Sequence, residues 1–448
     1  MRAAFQIRCW AAVVTAAACH GVDQGERESP RDIVGTRLAV GGGHNHLVLP
    51  DGTLATWGGS IYGAAGVPYE VDGPNPPSTT DLQADVVAAA AGTDHSCAVL
   101  DDGRVNCWGR NDVGQLGLGD TENRGDDPGE MGASLPFVDL GTDEHAVAVS
   151  CGGRFSCVLL EGSSVKCWGY NANGELGQGD TEYRGDEPSE MGDALPAIDL
   201  GTTREVIELD AGFQHVCVLL DDGKIKCWGN SSSATYTLGR SNVANIGDAS
   251  GQMGDALPVV SLGTDAIVES FSAGGYHSCA LLVGGGLKCW GQGSFTEPCP
   301  DPDEMCVYPR PRYLGGRLGY GDLENRGADP KMGDNLPLVD LGTDARVVAV
   351  DAGSTHTCAL LDSGRLKCWG AHSFNKLGID VNNDIGDEPG EMGDALPPVD
   401  LGTGRTVAAF AASLNATCVV LDDDGVKCWG SPEYGTEMGD ALPYIALP

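Results

Sequence analysis

A Trp-Gly pair closes the same stretch of sequence seven times, at Trp57, Trp108, Trp168, Trp228, Trp290, Trp369 and Trp429, with spacings of 51, 60, 60, 62, 79 and 60 residues. A unit near sixty residues repeated seven times has to fold as seven copies of one supersecondary structure, each covering the apolar faces of the next. Residues 91–109, AGTDHSCAVLDDGRVNCWG, show what the unit is. HSCAVL and RVNCWG are short apolar, β-branched runs joined by Asp101-Asp102-Gly103, which predicts a β-hairpin whose three-residue loop has glycine in the left-handed position. Gly52, Gly223, Gly285 and Gly364 stand at the same place, whereas Ser163 and Asp424 replace glycine in two copies.

That register makes a chemical prediction. With residues 101–103 as the loop, Cys97 faces Cys107, and directly opposed side chains have Cβ atoms roughly 4.5 to 5.5 Å apart, close to what a disulfide needs. The ten-residue separation recurs as Cys157 with Cys167, Cys217 with Cys227, Cys279 with Cys289, Cys358 with Cys368 and Cys418 with Cys428, while the first copy has His46 and Thr56 there. Zinc is the competing reading, but one pair per repeat offers two ligands where a structural site wants four. Cys299 and Cys306 form a seventh expected pair. Cys151, where other copies have Ala211 or Ala352, is expected to be a small buried thiol.

Each unit contributes four strand-like runs, such as PFVDLG, HAVAVSCGG, FSCVLLE and SVKCWG, and no helical periodicity is apparent. Several runs are apolar on both faces, as strands between covering layers are. The fold class that follows is all-β: a seven-bladed propeller of four-stranded blades. The first copy lacks the PxVDLG run and the chain finishes with LPYIALP, so residues 444–447 are expected to complete the first blade and close the ring.

The chain has 448 residues with 27 Lys+Arg against 64 Asp+Glu, a formal net charge of −37. So acidic a surface repels phosphate backbones and anionic membranes and argues against nucleic-acid binding. Residues 1–19 read as an export signal, with Arg2 and Arg8 before an apolar segment too short to span a bilayer. Ala16, Ala17 and Ala18 lead to Cys19, which resembles the lipidated cysteine of a bacterial lipoprotein signal, so the expected destinations are an outer-envelope lipoprotein anchored at Cys19 or a freely secreted chain. Residues 20–35 read as a polar linker, and residues 36–448 as the propeller. Export agrees with paired cysteines, which persist in oxidising compartments.

The pattern AGxxHxCALLxxGxLKCWGxNxxGxLG, seen best in NDVGQLGLGD after Trp108 and NANGELGQGD after Trp168, resembles the repeat of the regulator of chromosome condensation propellers, in the cysteine-containing form of exported bacterial proteins. The resemblance implies a propeller fold over residues 36–448. The founding eukaryotic member is a nuclear exchange factor for a small GTPase that also binds chromatin, and a secreted relative inhibits β-lactamases. Both imply a binding surface.

Other features invite specific chemistry. His44, His95, His215, His277 and His356 recur two residues before the first cysteine position, with Phe155 and Ala416 in the remaining copies. A histidine ring could bind metal, but tolerance of Phe and Ala favours buried hydrogen bonding. Asp120, Glu122 and Asp126 in DTENRGDDPGEMG hint at calcium, against which Arg124 holds a ligand position and Met131 stands where the bidentate Glu belongs. Arg124-Gly125-Asp126 and Arg184-Gly185-Asp186 spell an integrin-type tripeptide that Ala328 breaks in a third copy. The long spacing contains a Pro-rich insertion, residues 294–313, whose Glu304, Tyr308, Arg310 and Arg312 are candidate partner contacts.

No catalytic motif or phosphate loop appears. The expected function is therefore an exported, monomeric, non-enzymatic propeller that binds a protein, needs no cofactor, and touches a membrane only through a lipid anchor. The alternatives are an exchange factor for a small GTPase and an inhibitor of an extracellular enzyme.

Overall fold

The computed structural model describes residues 38–68, 75–201, 203–232, 235–240, 244–296, 313–381, 383–431, 434 and 437–448. In each copy an inner, a second and a third strand form an antiparallel sheet; in blade 2 these are Val86–Ala91, His95–Leu100 and Val105–Gly109. The inner strands of consecutive blades touch all the way round, and that of blade 7, Val407–Ala412, touches that of blade 1, Leu38–Val40. Seven sheets thus stand around a central bore. No helix of the described residues is long and apolar enough to cross a membrane.

The hairpin register sets Cys97 opposite Cys107, Cys157 opposite Cys167, Cys217 opposite Cys227, Cys279 opposite Cys289, Cys358 opposite Cys368 and Cys418 opposite Cys428. Each of these six pairs closes as a disulfide, with Cα atoms 4.0–4.2 Å apart. A bridge over so short a loop contributes roughly 2–3 kcal/mol by restricting the unfolded chain. Ser163 and Asp424 both take the left-handed backbone that Gly103 takes, at φ 61°, 63° and 80°. Cys299, Cys306 and Cys19 lie outside the described residues.

Two expectations are corrected. Only blade 1 has a fourth ladder strand among the described residues, Asn75–Thr80. In the other blades the PxVDLG run is held by a single backbone bond, such as Val138 N to Val105 O at 2.9 Å and Ile198 N to Val165 O at 2.9 Å. Pro136 and Pro196 open these runs without an N–H and so cannot donate to a second ladder bond. The run also belongs to the hairpin before it. Each blade is therefore continuous in sequence, and Ile445 donates to Val426 O in blade 7 at 2.8 Å instead of completing blade 1. Blade 1 uses NPPSTTDL for its own outer run, with Asp81 where Asp139 stands in blade 2, since Gly132 N and Gly192 N bond the respective Asp carbonyls. Ring closure is side-chain packing: Leu38, Leu47, Ala55 and Trp57 share one buried cluster with Ala411, Cys418, Val426 and Cys428.

The joints between blades are polar stitches set in apolar walls. The indoles of Trp108, Trp168, Trp228, Trp290, Trp369 and Trp429 each donate to a loop carbonyl of the preceding blade, at 2.9–3.1 Å. Lys166, Lys226, Lys288, Lys367 and Lys427 reach Leu140, Leu200, Leu262, Leu341 and Leu401 carbonyls of the preceding outer run, at 2.6–3.0 Å. Thr142, Thr264, Thr343 and Thr403 bond Asp193, Asp334, Asp394 and Asp440 of the following blade. Around the bore, Ser150, Asp210, Ser272 and Asp351 accept the backbone N–H groups of Ala211, Ala273, Ala352 and Ala412 in the next inner strand.

The recurrent bulge in the inner strand explains its exposed β-branched residues. In blades 2 to 7 the register slips by one after the first residue, and the extra residue, such as Val87, Val147 or Val348, turns outward.

Gly117, at φ 68°, sits where an added Cβ would lie 2.7 Å from Trp168 Nε1. Gly117→Ala is expected to cost about 2–4 kcal/mol through clash and left-handed strain, read as a lower unfolding midpoint in denaturant. Glu208 lines the bore with one carboxylate oxygen lacking a hydrogen-bond partner among the described residues. Burial, and then the Asp210 carboxylate, push its carboxyl up to about 8. The folded chain holds this proton more tightly than the unfolded chain, so the stability it confers is full in acid and lost as pH rises through about 8. Glu208→Gln is expected to gain in melting temperature over the parent as buffer pH goes from about 5 to about 9, with no gap in acid.

Candidate functional site

In a repeat protein, positions that fail to repeat inside a repeating frame are those free to specialise. One such position precedes the histidine: Asp94, Arg154, Gln214, Tyr276 and Thr355. Another follows the Trp-Gly pair: Arg110, Tyr170, Asn230, Gln292 and Ala371. The structure brings the two together. In each of these blades the N–H of the second bonds the carbonyl of the first, at 2.8–3.0 Å. In an antiparallel blade the first and third connections share one end, so these pairs ring one mouth of the bore.

Across blades 1 to 3 the ring carries a chain of charges and aromatic rings. Arg110 bonds Asp94 at 3.2 Å and Asp112 at 2.8 Å, and Arg154 of the next blade bonds the same Asp112 oxygen. Arg110 also lies over Tyr62, 4.9 Å from the ring centre, and Arg154 over Tyr170 at 5.7 Å. Tyr170 packs on Tyr183 at 5.2 Å, and further round Phe213 packs on Tyr276 at 5.8 Å. Partial burial works against ionisation of Asp112, but bonds from Arg154, Gln115 and Arg110 outweigh it and hold its carboxyl at about 2. Two guanidiniums set against the Asp94 and Asp112 carboxylates, flanked by rings, make a locally uncharged, aromatic patch on a chain of charge −37. Arginine and tyrosine are the residues that concentrate binding energy in protein interfaces.

The two ends of the insertion meet at this same end of blade 5. Its stem is a two-stranded ladder, Ser294–Thr296 with Tyr313–Gly315. Glu304, Tyr308, Arg310 and Arg312 lie outside the described residues.

The remaining candidates are built into the frame. His46, His95, His215, His277 and His356 each place Nε2 against a hydroxyl of the next blade, Ser96, Ser156, Ser278, Thr357 and Thr417, at 2.7–3.0 Å. Burial lowers the pKa of all five, to about 3 for His95 and about 4 for His215. His44, of the original set, is also buried, with its pKa down to about 4. Asp120 bonds Arg124 at 2.7 Å and accepts Asn111 Nδ2 and Glu122 N, while Asp126 accepts Asn123 Nδ2. The loop's own groups thus take up Asp120 and Asp126, and Glu122 is exposed with no converging carboxylates among the described residues. The repeated Arg-Gly-Asp is likewise architectural, because Arg124 and Arg184 clamp Asp120 and Asp180 in their own loops, and Gly185 O accepts Gly119 N of the preceding blade. Cys151 is a free buried thiol, and burial pushes it up to about 12.

A rigid ring of disulfide-stapled blades, repeating in its seams and variable on one loop face, is the class of protein this geometry defines. Residues 86–115, 146–175, 206–234, 268–296 and 347–375 match the Regulator of chromosome condensation (RCC1) repeat, as do residues 102–159 in a second description of it. Those segments of the chain carry RCC1 repeats, and the sheets are arranged as in an RCC1-type propeller. It is 27% identical over 391 residues to Protein pim1 of Schizosaccharomyces pombe, covering 84% of this chain and 64% of that protein. It is 24% identical over 402 residues to the Ultraviolet-B receptor UVR8 of Arabidopsis thaliana, covering 88% and 76%. Among solved structures it resembles yeast RCC1 (Prp20) bound to Kap60, with a TM-score of 0.64, 18% identity and coverage of 96% and 90%. Human WBSCR16 gives 0.63, 18%, 88% and 95%.

Asp112→Asn is expected to release both arginines yet cost only about 0.5–1 kcal/mol, since the pair is partly solvated. Asp112 is depressed in the folded state, so its contribution is present above the ordinary carboxylate range and disappears as pH falls through about 2. Parent and variant should therefore differ in urea midpoint at neutral pH and converge in strong acid.

Proposed function

We propose that this chain is an exported, non-enzymatic propeller that binds a protein partner with the loop face around the bore. The observation that carries the reading is the concentration of variable residues there: the Arg110–Asp112–Arg154 chain with Tyr62, Tyr170 and Tyr183, beside the stem of the insertion. Six buried disulfides support an oxidising, extracellular setting. In this reading residues 1–19 direct export, Cys19 carries a lipid anchor, residues 20–35 form the tether, and the ring from residue 36 onward acts as a monomer. A solved structure of yeast RCC1 (Prp20) holds Kap60, and Prp20p is described with binding to Gsp1p and histones, so propellers of this fold do engage proteins.

The test is affinity capture from an envelope and secreted fraction with three baits: the parent, Arg154→Ala/Tyr170→Ala on the loop face, and Asp222→Ala on the opposite, hairpin-turn face. The expected result is a partner held by the parent and by Asp222→Ala, and lost at least tenfold with the double variant, matching the roughly 2 kcal/mol or more that such anchors contribute. Equal capture by all three baits would move the interface elsewhere. Accelerated nucleotide release from a GTPase, or turnover of a substrate with no partner captured, would replace the reading.

A further inference from the structure

The seam between blades 2 and 3 holds a side-chain set present at no other described seam. Cys151 ends the inner strand Ala146–Cys151 of blade 3, where sibling strands end in Ala91, Ala211, Ala273, Ala352 and Ala412. Its Sγ, the Sγ of Cys97 and a ring nitrogen of His95 all lie within 4.8 Å of one another, and all three residues are buried. Cys107 is bonded to Cys97 at 2.07 Å. Three ligand atoms therefore converge from two blades, and Cys107, outside that 4.8 Å group but bonded to Cys97, brings the set to three cysteines and one histidine, a donor set of closed structural zinc sites. Tetrahedral zinc with Zn–S bonds of about 2.3 Å holds its sulfurs roughly 3.8 Å apart. The His95, Cys97 and Cys151 ligand atoms need contraction of about one ångström, and Cys107 has to swing in after the Cys97–Cys107 bond opens. Every other cysteine-bearing seam among the described residues is at least one ligand short: His215, Cys217 and Cys227 face Ala273, and His277, Cys279 and Cys289 face Ala352.

We propose that, once a thiol or phosphine reductant opens Cys97–Cys107, the side chains of His95, Cys97, Cys107 and Cys151 bind one zinc ion across the seam between blades 2 and 3. The reductant supplies two electrons, and the two sulfurs of the broken bond each take up a proton. On binding, the three thiols release three protons and neutral His95 lends a nitrogen lone pair. The Ser156 hydroxyl, 3.0 Å from His95 Nε2 and 3.5 Å from Cys97 Sγ, turns aside and keeps its bond to Gln115 O at 2.8 Å. The site would exchange a staple within blade 2 for a tie between two blades, giving the ring a second way to hold this seam when its sulfurs are reduced.

The experiment uses the full chain, reduced without denaturant and titrated with cobalt(II), then displaced with zinc. The parent is expected to bind one more equivalent of cobalt than Cys151→Ala, with the visible d–d bands of a tetrahedral thiolate centre, and the oxidised parent none. Cys151→Ala restores the alanine of the sibling strands, so its oxidised form should melt as the parent does. Equal cobalt binding by reduced parent and Cys151→Ala, or no such bands in either, overturns the site. If reduction loosens the ring, melting is the second readout: zinc raises the midpoint of the reduced parent but not of reduced Cys151→Ala, and the same response in both overturns it.

Discussion

A blade of this protein is one sheet thick and apolar on both faces, so nothing within a single repeat can cover it. Trp168 shows what that demands. Its ring is fully buried between sheets, and its indole N–H must find an acceptor away from water, or leave a donor unsatisfied at a cost of about 1–3 kcal/mol. Gln115 O of the preceding blade supplies it. Glycine at 117 allows the backbone to come close enough, which ties the Gly-rich loop of one copy to the tryptophan of the next. The near-constant separation of acceptor and tryptophan, 52 or 53 residues at five seams, is the visible trace of that dependence, and the insertion after Trp290 is accommodated because it falls before the acceptor Arg317.

The same coupling accounts for exceptions inside the repeat. Blade 3 has Phe155 where its siblings have histidine, and blade 4 has Val216 where the facing hydroxyl would be. An apolar pair has replaced a hydrogen-bonded pair across one seam, and neither polar group is left stranded. Blade 7 has Ala416 at the histidine position, and blade 1 offers Asn45 instead of a hydroxyl. Blade 1 lacks a disulfide, yet His46 bonds Ser96 at 2.7 Å and Thr56 bonds Thr80 at 3.0 Å, so polar contacts occupy the place of the sulfurs. Such substitutions are intelligible only as pairs, and the partners sit about sixty residues apart, or toward opposite ends of the chain where blade 7 meets blade 1.

This explains which parts of the molecule are legible in the sequence. Hairpin register and disulfide pairing are local matters: Cys157 and Cys167, or Cys358 and Cys368, are set opposite each other by one turn between two short runs, and alternation with turn chemistry exposes them. Ownership of the PxVDLG run is not local. The run could join the hairpin before it or the one after it, and only the bond from Val138 to Val105 chooses. The choice carries the closure with it, since blades continuous in sequence need no exchanged strand. The KCWG lysines escape sequence reasoning too: their charge suggests a solvated face, while Lys166 in fact turns inward to the Leu140 and Gly192 carbonyls. The signal is present as a cation repeated beside the Cys-Trp pair in five copies.

The loop face is legible for the opposite reason. Arg154 and Tyr170 attract no attention as a motif, but they stand in a frame that otherwise repeats, between Gly153 and Phe155 and after Trp168-Gly169. Residues that build seams are constrained twice, by their own blade and by its neighbour, whereas residues at the mouth of the bore are constrained by neither. Seven copies of one repeat thereby act as an alignment internal to the chain. What varies across them without disturbing a seam is the surface free to specialise, and the bonds of Asp112 to Arg110 and Arg154 carry that surface across two blades.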